Sequence, residues 1–241
     1  MKPFNLIKYN ICKFKYKLIP NSRNFYNFKI YESYILNEIY FKKNIIIHNS
    51  DAIKHCRESG AIITFIHYGS FFLIGPTLIH QKNCKYTAIA SLDNNHGKQL
   101  DLWESFHSRY NKYYSVDLIL RTSYMKTFVS LLKSSFFIGI ALDVHTKRKK
   151  RNIKSFTFKN KTIYLDDYVS ELSLRYSKPV IACTICFNRM NGKHDLYLSD
   201  AYEPGMNMSN DILSFIDSNI SESTQYFHDL FSLFSTSSMF K

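Results

Sequence analysis

Ala61-Ile62-Ile63-Thr64-Phe65-Ile66-His67-Tyr68-Gly69-Ser70 is the stretch on which the fold turns. Its first six residues are uncharged and mostly β-branched or aromatic, the composition of a strand buried on both faces. Residues 71–79 then read as a helix, with Pro76 bending or ending it. No Asp, Glu, Lys or Arg occurs from 61 to 79, a run close in length to a spanning helix. The β-branched residues at its front, with Gly69, Gly75 and Pro76 behind them, favour strand, turn and helix over a span.

Outward from this stretch, strand and helix patterns alternate. Residues 86–91 read as a strand, 99–113 as a helix, 118–120 as a short strand and 124–133 as a helix. Residues 136–142 form the most apolar strand, ending at Asp143. A helix over 167–176 precedes Pro179 and a strand over 180–187; 196–198 is the last strand, and 212–234 supplies closing helices. The pattern predicts a single-domain α/β fold, a mixed central sheet flanked by helices, over 56–241. Residues 1–55 read as a basic, aromatic helical segment packed on that core, with Phe4, Ile7, Ile11 and Phe14 at helical spacing.

The 20 Phe and 18 Tyr exceed what an ordinary core needs, which points to aromatic surface for a ligand or lipid interface. Formal charge is +13 and uneven: residues 1–50 hold nine Lys/Arg against Glu32 and Glu38, whereas 201–241 hold Lys241 against five acids. A basic leading segment suits phospholipid head groups, an acidic carrier protein or nucleic acid. Five scattered cysteines and a lysine-interrupted N-terminus fit a reducing cytoplasm. Cys183 and Cys186 lie three apart in a strand and so point to opposite faces, which argues against a metal pair.

Functional groups in such folds gather at the carboxyl ends of strands. His67 ends one strand and Asp143 ends another. A histidine beside Gly69 leaves room for a substrate, and a carboxylate on one ring nitrogen lets the other take a proton. After Asp143 come His145 and the run Lys147-Arg148-Lys149-Lys150-Arg151, then Lys154, Lys159 and Lys161, an array that calls for an anionic partner.

The segment from Arg57 to Phe72 resembles the lipid A late acyltransferases of the glycerolipid and lysophospholipid acyltransferase superfamily. There an apolar strand leads into H-aromatic-G-N-W-E, an instance of H-x-x-x-x-D/E. His67, Tyr68 and Gly69 match, Ser70 stands for Asn, Phe71 for Trp and Phe72 for the acid. Leu132-Lys133 with the strand to Asp143, Phe156-Thr157-Phe158 with Thr162, Leu174 to Ile181, and Gln225-Tyr226-Phe227 resemble later blocks of that family in order.

The resemblance implies acyl transfer from an acyl carrier protein or coenzyme A thioester to a hydroxyl or amine. His67 is the implied base and Asp143 takes the missing acid's place, with Asp93 in reserve. Tyr68, Gly69, Ser70, His145, Lys147 and Arg148 contact substrate, and no metal or tightly bound cofactor is expected. The expected location is cytoplasmic, peripheral on the inner face of the membrane. Phe72 motivates an alternative, an acyl- or lipid-binding relative with altered or lost chemistry. A nucleic-acid-binding protein is the remote alternative, since no RNP, zinc-finger or helix-turn-helix signature accompanies the charge.

Overall fold

The computed structural model describes residues 43–66, 71–88, 124–143, 153–158, 161–188 and 190–220. Its centre is a six-stranded sheet of β1 (Ile45–His48), β2 (Ala61–Phe65), β3 (Tyr86–Ala88), β4 (Phe137–Ala141), β7 (Val180–Asn188) and β8 (Lys193–Leu198). The spatial order is β1-β8-β7-β2-β4-β3. β2, β3, β4 and β7 run parallel, β8 returns antiparallel to β7, and β1 is parallel to β8. The expected mixed sheet is therefore present. A separate antiparallel hairpin, β5 (Ile153–Phe158) and β6 (Lys161–Asp166), lies outside it.

Both sheet faces are covered. On one face α1 (Asp51–His55) and α2 (Ile74–Lys82) bury Ile53, Ile74 and Leu78 against Ile63, Phe137 and Ile181. On the other, α3 (Tyr124–Leu132), α4 (Tyr168–Tyr176), α5 (Ser209–Asn219) and the hairpin pack Leu132, Val169, Ile212 and Phe156 against Ile62, Ile138 and Ala182. Alternate residues of β2 thus serve opposite cores, and every residue of the strand is buried. That is why its sequence is an unbroken apolar run.

Two glycines set close approaches. Gly60, at φ 69°, enters β2 so near β4 that a Cβ there would stand 2.4 Å from the Phe136 carbonyl oxygen. Gly139 in β4 lies under the buried Tyr86 ring, where a Cβ would stand 2.0 Å from the hydroxyl oxygen.

Several expectations need correction. Residues 45–48 of the N-terminal segment, read as helical, form a strand; three consecutive isoleucines are β-branched and stiff at χ1, and pairing with β8 decides the outcome. Pro76 neither bends nor ends α2, because it is the third residue, inside the first turn, where its missing N–H has no helical acceptor to lose. The run 61–79 is divided between β2, a 3₁₀ turn over Phe71–Leu73 and the start of α2. Among the described residues no helix is long and apolar enough to cross a membrane. Cys183 and Cys186 do face opposite cores, and both are free thiols. The segments expected over 4–16, 99–113, 118–120 and 221–234 lie outside the described residues.

Candidate functional site

The connection leaving β2 carries α2 over one face of the sheet, and the connection from β4 to β7 carries α4 over the other. Adjacent parallel strands whose connections part in this way open a crevice at their carboxyl ends. β2 and β4 are in register there, with Phe65 opposite Ala141 and the Leu142 N–H donating to the Phe65 carbonyl at 2.7 Å. The Thr64 hydroxyl donates to the Ile140 carbonyl at 3.1 Å, and the Tyr168 hydroxyl, from the start of α4, donates to the Ala141 carbonyl at 2.6 Å. Phe65 stacks on Phe71 with ring centroids 5.8 Å apart. Asp143 stands two residues past the end of β4 and is partly exposed. The edge that ends in Asp143 is thus held by backbone and hydroxyl bonds, with aromatic rings on one side.

Of the residues expected to take part in catalysis or to contact substrate, Asp143 alone falls among those described. His67, Tyr68, Gly69, Ser70, His145, Lys147, Arg148 and the reserve Asp93 lie outside them. Lys154, counted with the basic run, is not free for an anionic partner. Its ammonium pairs with Asp167 at 2.8 Å and donates to the Asn207 side chain. Asp167 is buried and also accepts from Ser170 at 2.5 Å and from Ser209, so one carboxylate ties the hairpin to the starts of α4 and α5.

At the opposite end of the sheet Lys178, almost fully buried, donates to the carbonyls of Ser59 and Ser134, the latter at 2.5 Å. It closes the amino ends of β2 and β4, and burial holds its ammonium below the usual lysine range. Among the described residues no group of three or more His, Cys, Asp or Glu is arranged to hold a metal ion.

No protein-family model and no curated protein matches this chain. The resemblance in motif order therefore has only the residues themselves behind it.

One further cluster has no motif or spacing that marks it in the sequence. His48 at the end of β1 meets Asp195 of β8, Nε2 to Oδ1, at 2.9 Å, and Asn188 of β7 donates to the other carboxylate oxygen at 2.8 Å. The His48 ring stacks on Tyr197 at 4.5 Å with 11° between planes. Asp195 is buried, whereas the His48 side chain is 43% exposed. The two are 147 residues apart in the chain, so only strand pairing unites them.

Proposed function

We propose that the chain is an acyltransferase of the glycerolipid acyltransferase type, in which His67 is the general base and Asp143 orients it. The observation that carries the reading is the parallel, in-register pairing of β2 and β4: β4 leads into Asp143, and β2 runs through Ile66 into His67 in the sequence. The motif order around His67 supports the same chemistry.

In the proposed reaction His67 takes the proton of an acceptor hydroxyl or amine. The acceptor oxygen or nitrogen then bonds to the thioester carbonyl carbon, the carbon–sulfur bond breaks, and the thiolate leaves with the proton returned from His67. Ser70 and nearby backbone N–H groups stabilise the oxyanion, with Tyr68 and Gly69 shaping the approach. His145, Lys147 and Arg148 receive the phosphate or acidic surface of a coenzyme A or carrier-protein donor. Work at the inner membrane face, on a lipid acceptor, belongs to this proposal. A non-catalytic acyl-binding relative is the second reading, because Phe72 fills the motif's acid position.

The test is release of free thiol from palmitoyl-coenzyme A and acylated carrier protein, with lipid extracts as acceptor. Turnover that falls by about 10²-fold or more in folded His67→Ala protein supports the base assignment. Tight acyl binding without turnover supports the second reading.

A further inference from the structure

We propose that His48 and Asp195 form a second proton-transfer dyad, acting on water or a hydroxyl group that attacks an acyl ester carbonyl. Asn188 donates to one Asp195 oxygen, so the carboxylate is an acceptor there, and the other oxygen meets His48 Nε2. A carboxylate only accepts, so Nε2 carries a hydrogen, and in the neutral ring Nδ1 is the nitrogen with the lone pair. Nδ1 has no hydrogen-bonding partner among the described residues, and 43% of the His48 side chain is exposed. The stack on Tyr197 fixes the ring plane. This is the orientation of a general base: one nitrogen held by a buried acid, the other free.

The dyad's place in the sheet supports the substrate class. The first residues of β7, Val180 to Ala182, pair with β2, and those from Cys183 onward pair with β8. β8 and β1 therefore project past the carboxyl end of β2, toward the edge where β4 leads into Asp143. β1 stands three strands from β2, about 14 Å at ordinary strand spacing. Thr184, opposite Tyr197 in the ladder and on the same face as Asn188 by strand alternation, adds a buried hydroxyl with no partner among the described residues. The acyl class rests on the proposed function; the dyad itself does not.

In the proposed step Nδ1 takes a proton from water as its oxygen bonds to the carbonyl carbon. The bond from carbon to the leaving alkoxide or phenolate oxygen then breaks, and His48 gives its proton to the leaving group or to solvent. The experiment follows p-nitrophenyl acetate hydrolysis by full-length His67→Ala protein, so that the first site contributes nothing. Adding His48→Ala is expected to cut kcat by about 10²-fold, and free imidazole in the buffer to restore part of it. Adding Asp195→Asn is expected to lower kcat with KM unchanged. Hydrolysis insensitive to His48→Ala, or loss that imidazole fails to rescue, overturns the dyad, as does Asp195→Asn with unchanged kcat. If Asp195→Asn does not fold, Asn188→Ala replaces it: a severalfold fall supports the dyad and an unchanged rate contradicts it. Thioester turnover in the unmutated protein reports separately on the first proposal.

Discussion

Gly139 and Tyr86 show how a single atom sets the packing of the sheet. A methyl group at 139 meets the Tyr86 hydroxyl oxygen at 2.0 Å and Cζ at 2.8 Å, with both residues buried. Gly139→Ala is therefore expected to destabilise the fold by about 1–3 kcal/mol, the usual cost of overpacking. Tyr86→Phe added to it should recover part of the loss by removing the nearest atom, as urea denaturation of the double variant will show. Cys84 offers a test by pH. Burial raises its thiol from 9.0 to about 11, so the folded state keeps a proton that the unfolded chain gives up. Its contribution to stability is complete below pH 9 and is lost as pH rises toward 11, and the folded protein should leave Cys84 unlabelled by iodoacetamide at pH 8.

At the scale of elements, β2, β4, β7, α3 and α4 were legible because each buries a long apolar run or a clear helical stripe. β1 was not, since four residues inside a lysine- and aromatic-rich segment carry too little period to outweigh their surroundings. The hairpin was hidden by its lysines. Its alternation is present, Phe156 and Phe158 inward on β5 and Ile163 and Leu165 inward on β6, but the basic run before it reads as loop. What holds the hairpin to the helices is Asp167, whose carboxylate meets Lys154, Ser170 and Ser209. Asp167→Ala should cost about 1–3 kcal/mol, because two buried hydroxyls lose their acceptor, while the part-exposed Lys154 ammonium keeps Asn207 and solvent. Denaturant unfolding measures the loss, and a cost under 1 kcal/mol would show the network to be incidental. The candidate site was legible only as strand ends. The sequence reads as strands running up to His67 and Asp143; β2 ends at Phe65 and β4 at Ala141, and His67 itself lies outside the described residues. The adjacency of β2 and β4 needed the sheet, as did the pairing of His48 with Asp195.

Across the whole molecule, the proposed function assigns docking of the acyl donor to charge. Lys154 is engaged internally, so under the proposed function docking of an acidic donor would fall to the cations before it in the sequence. Replacing Lys149, Lys150 and Arg151 with Ser should raise KM for an acylated carrier protein more than it lowers kcat. It should also flatten the salt dependence, since exposed charges are screened beyond about 8 Å at physiological ionic strength. A salt dependence unchanged by the triple variant would contradict docking by this run. The most direct measurement of the account is thioester turnover by the Asp143→Asn protein beside the unmutated one, with circular dichroism confirming equal folding. The two side chains differ by little more than a charge, so the fold at the partly exposed end of β4 should be kept. If Asp143 orients His67, kcat falls by about 10²-fold or more with the acyl donor's KM little changed; an Asp143→Asn protein as active as the unmutated chain would contradict it.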